Sequence, residues 1–333
     1  MGGNFSMDNY ENFFVGAYTS SPTLFKWDYQ QERSFFTLLK SSIKIKGLEL
    51  PYYGQLHLHD EEKFLQLLDE NWRYVITAIP GNMEKISNNI NFGLASNDNK
   101  GRLEAICFYS NIPKVVEKIN SYFGENKVDF VSIATSPSIK KSLADSSSDN
   151  LYNSLKILLD LNWNDTKLMI EHCDSGKNKW AIKGFLSLED EIDVVCKLRQ
   201  EGYNIGITLN WGRSAIEYKD KNGILKHLDQ IIENNLDYAL MFSGVSNEKK
   251  SAYGIWQDLH APIASTNGIM YGEKYSLMDY DSIYTVFEKV KNYKKADFIG
   301  IKLMPMPFEN ANIQTRVGIN RDTLKIISSV DIL

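Results

Sequence analysis

Cysteine is scarce in this chain, with three residues in 333, at positions 107, 173 and 196. The odd count and the lack of any C-x-x-C spacing exclude a disulfide framework and a cysteine-rich zinc module. Reduced thiols point to the cytoplasm, with Cys107 and Cys196 expected to be buried on helices. Basic excess is also missing: 37 Lys and Arg stand against 42 Asp and Glu, a formal charge of −5. That balance offers no electrostatic footprint for nucleic acid. No apolar run approaches the roughly 20 residues that cross a bilayer, so no membrane partner is expected. The opening "MGGNFSMDNYENFF" lacks the charged and apolar regions of a signal peptide. It fits the degenerate M-G-x-x-x-S myristoylation pattern, but residues 1–12 read more simply as a flexible N-terminal segment.

What the chain does have is eight short apolar runs. They are "FFVGAYT" (13–19), "GLELPYY" (47–53), "YVITAIPG" (74–81), "FVSIATSP" (130–137), "KLMIEHCD" (167–174), "NIGITLNW" (204–211), "YALMFSG" (238–244) and "FIGIKLMP" (298–305). Each is rich in Val, Ile, Phe or Tyr and ends on turn-forming residues. Near-continuous apolarity is the pattern of parallel strands covered on both faces. Amphipathic stretches lie between them. Asp60 is a predicted N-cap, and Ser187 with Asp190 and Ser214 with Glu217 stand in capping-box spacing. Eight strand–helix units in succession predict one (β/α)8 TIM barrel over residues 1–333, of the α/β class. A doubly wound open sheet fits less well, because no G-x-G-x-x-G follows the first strand. Long βα loops are expected after strands 3 (82–101) and 7 (245–279), on the C-terminal face where barrels hold their active sites.

The strand ends deliver polar residues to that face. Strand 1 brings Tyr18, strand 2 Glu49, strand 5 Glu171, His172 and Asp174, strand 6 Asn210, Trp211 and Arg213, strand 7 Ser243 and strand 8 Lys302. The loop after strand 7 adds Asp258 and His260. Glu49 and Glu171 are carboxylates in apolar strands, where desolvation raises a pKa toward the range of acid–base work. A structural ion pair with Arg213 or Lys302 is the other reading of each. Alternation along the strand puts Glu171 and Cys173 on one face and His172 and Asp174 on the other, so one ion cannot use both Glu171 and His172. His57 and His59 read as surface-loop residues and His227 as a structural helix residue. Trp27, Trp180, Trp211 and Trp256 fall at or beyond strand C-terminal ends, suited to the apolar face of a sugar ring. Trp72 and Trp163 precede strands and read as core. Ser243, Gly244, Lys249 and Lys250 stand near the usual barrel phosphate site, although a solvated loop is the preferred reading for the lysines.

With these strand ends, the segments "VGAYTSSP", "LELP", "GLASNDNKGR", "IEHCD", "KGFLSLEDEI", "NWGRSAIE" and "YGIWQDLH" resemble an uncharacterised bacterial family among the xylose isomerase-like barrels. That superfamily includes sugar isomerases, sugar epimerases and an endonuclease. The resemblance implies an isomerase or epimerase acting on a small carbohydrate by proton transfer next to a carbonyl. Its catalytic groups would be Glu171 as base, Glu49 as second acid/base and Lys302 or a bound divalent ion as electrophile. Arg213, Asn210, Trp211, Trp27, Trp180, Trp256, Tyr18 and Ser243 would bind substrate. In the epimerase members a divalent ion (Mn, Mg, Co or Zn) is held by Glu, Asp, His and Glu from strands 5 to 8. Only Glu171 carries over, so the implied shell here is a displaced one of Glu171, Asp174, Asp258 and His260. Glycoside hydrolysis by Glu49 and Glu171, or binding of a sugar or sugar acid without turnover, are the alternatives. A homo-oligomer is compatible with all of these.

Overall fold

A computed structural model describes residues 8–331, apart from the side chain of residue 331. Eight parallel strands close a barrel in sequence order. They are β1 (Asp8–Val15), β2 (Ile43–Pro51), β3 (Arg73–Thr77), β4 (Val128–Ile133), β5 (Lys167–Glu171), β6 (Ile205–Asn210), β7 (Tyr238–Phe242) and β8 (Ile299–Ile301). Every residue of β6 and β7 is buried, as expected of strands walled by helices outside and side chains inside. β1 reaches back to Asp8, so residues 8–12 are strand rather than flexible lead-in. The rest of that predicted segment, with its myristoylation pattern, lies outside the described residues.

The strands end earlier than the apolar runs do. After Val15 the chain forms a 3₁₀ turn at Ala17–Thr19, and after Thr77 a helix at Ile79–Asn88 takes over. Pro80 sits in the first turn of that helix, where its fixed φ and missing N–H cost nothing. Residues 82–101 are therefore partly helical, within a connection that also contains the helices Asn99–Tyr109 and Ile112–Phe123. Residues 245–279 form a true wall of loop, pinned by bridges between Gly244 and Ala261 and between Ala264 and Glu273. Asp60 and Ser187 cap their helices as their spacing predicts. Cys107 is exposed and Cys196 half-buried against the core, although both lie on helices, so neither is the fully buried thiol expected.

Inside the barrel, Phe14, Val75, Met169, Ala239, Met241 and Phe298 form a closed apolar plug. Glycines on the intervening strands make the room: a Cβ on Gly206 would meet Met169 Cε at 2.9 Å, and one on Gly300 would meet Met241 Cε at 2.9 Å. The plug fills the lower half of the barrel, so charged side chains near the C-terminal ends of the strands rest on a dry floor. Low dielectric strengthens every charge interaction there.

Candidate active site

A chain of buried charges lies across the top of that plug. Lys302 Nζ, just after β8, is 2.9 Å from Glu49 Oε2 on β2 and 3.6 Å from Glu171 Oε1 on β5. Arg213 Nη1 donates to Glu171 Oε1 at 2.5 Å, and Arg213 Nε to Asp258 Oδ2 at 3.3 Å. Lys183 completes the row with its own ion pair to Asp258. Thr77 Oγ1 donates to Glu171 Oε2 at 3.3 Å. Among the described residues, Lys302 is thus the one charged partner in contact with Glu49, whose Oε2 receives no other donor. Gly16 permits this packing, since a Cβ there would come within 3.0 Å of Glu49 Oε2.

The two glutamates share Lys302 but differ in what else they have. Burial raises the Glu49 pKa from 4.5 to about 7, and Lys302, the main cation beside it, recovers only part of that. Burial acts equally on Glu171, yet Arg213 and Lys302 together overcome it and hold its carboxyl below the ordinary value. Glu171 thus keeps the negative charge and Glu49 gives way. Burial also opposes the charge on Lys302, but the two glutamates raise its pKa. Asp258 is held well below the carboxylate range, because Lys183 and Arg213 outweigh its burial. Burial and the nearby cations push His260 down to about 4, so it is a neutral imidazole at pH 7. The Cys173 thiol is pushed up to about 12 by burial and is no nucleophile.

Of this row, Glu49 is the member that lines a cavity. A cavity of about 100 Å³ sits over the ends of β1 and β2, lined by Tyr18, Trp27, Glu32, Phe36, Glu49, Tyr53, His57, His59 and Phe64 among others. That is room for several waters. Trp27 stacks on His59 at 5.1 Å and His57 on Phe64 at 4.9 Å, giving the cavity flat aromatic walls. Glu32 ties the wall together, accepting from Trp27 Nε1 at 3.3 Å with His57 Nε2 3.4 Å away. No Lys or Arg lines the cavity.

Of the substrate-binding residues expected from sequence, Tyr18 and Trp27 line the cavity and the others lie elsewhere. Trp211 is the first residue of the helix Trp211–Tyr218 and is fully buried in the main core, one residue past β6. Asn210 caps that helix, accepting from the Arg213 amide at 3.2 Å. This displaces the Ser214–Glu217 box expected there. Arg213 is committed to Glu171 and Asp258. Ser243 donates to Asn210 Oδ1 at 3.3 Å and has His260 Nδ1 at 3.2 Å. Trp180 donates to the Glu217 carbonyl at 2.8 Å, and Trp256 packs under Lys219, both outside the cavity. Lys249 and Lys250 are exposed. His57, His59, Glu32 and Tyr53 were missed as site residues. The H-x-H spacing was visible, but only the fold brings it over Glu49.

The implied metal shell does not assemble. Asp174 spends its carboxylate on the backbone amides of Ile182 and Lys183, at 2.5 and 3.0 Å from Oδ2. Glu171 and Asp258 are already neutralised by Arg213, Lys183 and Lys302, and a divalent ion beside three fixed cations would be repelled. His260, 3.5 Å from Asp258 Oδ1, is left without a second ligand. Among the described residues, the grouping with metal-ligand spacing is instead His172, Glu217 and His227, outside the barrel wall. No helix of the described residues is long and apolar enough to cross a membrane.

Comparison with known proteins agrees with the architecture. The model of a family described as "Domain of unknown function (DUF4862)" matches residues 14–319. An uncharacterised protein of Salmonella typhimurium is 31% identical over 323 residues, covering 96% of this chain and 98% of that protein. The crystal structure of D-psicose 3-epimerase in the presence of D-fructose superposes with a TM-score of 0.56 at 11% identity, covering 98% of this chain and 99% of the other. A xylose isomerase domain protein of Salmonella typhimurium gives 0.56 at 10% identity, covering 97% and 100%. The fold is a xylose isomerase-like TIM barrel.

Proposed function

The chain belongs to that family of unknown function, and from this premise we propose that it acts on a small, uncharged carbohydrate by moving a proton next to a carbonyl, as a sugar isomerase or epimerase. The observation that carries the reading is Glu49, a carboxyl poised to about 7 on the floor of an aromatic-walled cavity. A proton carrier works best when its pKa lies near the working pH. Glu49 is the acid/base group. Glu171 holds Lys302 and Arg213 in place, and Lys302 sets the proton affinity of Glu49 and stabilises negative charge developing beside it. Trp27 and Tyr18 present flat faces to the sugar ring. With two carboxylates and no Lys or Arg on the cavity wall, a phosphorylated sugar would meet repulsion without a partner.

The superfamily's divalent ion (Mn, Mg, Co or Zn) finds no oxygen-rich shell at these strand ends, and no step is routed through one. Glycoside hydrolysis fits less well: Lys302 stands between the two glutamates and Glu171 is sealed from the cavity. The test is to incubate the protein with a panel of neutral aldoses and ketoses in D₂O and follow each sugar by proton NMR. Exchange of the hydrogen next to the carbonyl, falling roughly 10²–10⁴-fold in Glu49→Gln, is the expected result. Saturable sugar binding without exchange would make the barrel a binder and retire the proposal.

A further inference from the structure

Outside the barrel, the connection after β5 and the helices that follow bring three metal-capable side chains together. His172 follows β5, Glu217 lies on the helix Trp211–Tyr218 and His227 on the helix Gly223–Glu233. His172 and His227 are each 1% exposed and Glu217 is 6% exposed. His172 Nε2 is 3.1 Å from Glu217 Oε2, and His227 Nε2 is 3.8 Å from Glu217 Oε1. The remaining ring nitrogens are taken. His172 Nδ1 is 2.7 Å from Glu191 Oε2, Glu191 in turn accepts from Thr135 Oγ1 at 2.5 Å, and His227 Nδ1 is 2.9 Å from Ser214 Oγ. His227 Nε2 is buried with no hydrogen-bond partner and faces the Glu217 carboxylate.

We propose that His172, Glu217 and His227 form a structural divalent-metal site, matched best to zinc, that fastens the two helices to the end of β5. Three features lead there. Both imidazoles are oriented through Nδ1 by a carboxylate or a hydroxyl, the outer support that metal-bound histidines have. Zinc bonds of 2.0–2.1 Å in a tetrahedron place ligand atoms roughly 3.3–3.5 Å apart; the two imidazoles approach the two oxygens of the one carboxylate at 3.1 and 3.8 Å, and one ligand atom from each of the three residues lies within 4.8 Å of the others. An ion would also satisfy His227 Nε2, which the protein alone leaves buried without a partner. Two imidazoles with a carboxylate suit zinc better than magnesium or calcium, which require oxygen. The ligands face away from the barrel interior, so the site is separate from the Glu49 cavity.

The test begins with protein purified without chelator, assayed for metal, then stripped and titrated with Zn²⁺. About one equivalent of zinc should bind and raise the melting temperature. Among five histidines, zinc should move the ring NMR signals of His172 and His227 only. His227→Gln should lose the metal, and His260→Gln, which would disrupt a site at the barrel mouth, should keep it. Should His227→Gln fail to fold, the wild-type NMR titration decides alone. Absence of stoichiometric zinc binding, binding that survives His227→Gln, or shifts at His260 or His57 instead would each overturn the site.

Discussion

Replacing Glu49 by Gln should change how stability depends on pH, whatever the substrate proves to be. The side chain is 1% exposed, so solvent screens little of the effect. Its carboxyl has a pKa of about 7 in the folded protein against 4.5 when unfolded, so between those values the folded state binds more protons. The stabilising contribution is therefore full below pH 4.5 and lost as the pH rises through about 7. At about 1.36 kcal/mol per pKa unit, wild type should lose about 3 kcal/mol relative to the Gln variant across that window. Glutamine keeps the shape and cannot titrate, and Lys302 retains Glu171 as a partner. With an unfolding entropy of about 2.1 cal/mol/K per residue, that difference is worth roughly 4 °C in melting temperature. Calorimetry of both proteins from pH 4 to 8 reads it directly. A difference in melting temperature that stays flat across this range would refute the raised pKa and, with it, the assignment of Glu49 as proton carrier.

Other perturbations separate holding from binding. Arg213→Ala should destabilise by about 3–5 kcal/mol in urea unfolding, because Glu171 and Asp258 would remain buried with fewer cations; a loss below about 1 kcal/mol would show that water or Lys183 compensates. Trp27→Ala should weaken binding of any sugar ligand roughly tenfold, about 1.4 kcal/mol, whereas Trp180→Ala, off the cavity, should leave affinity unchanged by isothermal calorimetry. Equal effects from the two tryptophans would misplace the cavity.

Much of this molecule was legible in order along the chain. Apolar runs punctuated by turn residues determined the eight strands and their succession, since a strand covered on both faces has little choice but Val, Ile, Leu and Phe. Local hydrogen-bond chemistry determined the caps at Asp60 and Ser187. Alternation sent Glu171 inward and His172 outward, because the pleat leaves no other option. The partners were decided only by tertiary structure. Glu217 sits three residues after Ser214, yet it serves His172 from another element, and Asn210 takes the capping role instead. Trp211 resembles a ligand-facing aromatic until barrel curvature turns it into the core. Glu49 and Glu171 are equivalent as letters, each an acid in an apolar strand. They differ because Arg213, 42 residues from Glu171 in the chain, closes on one of them alone. Charge state in a buried site depends on the sum of neighbours within a few ångströms, and that sum does not exist until the barrel closes.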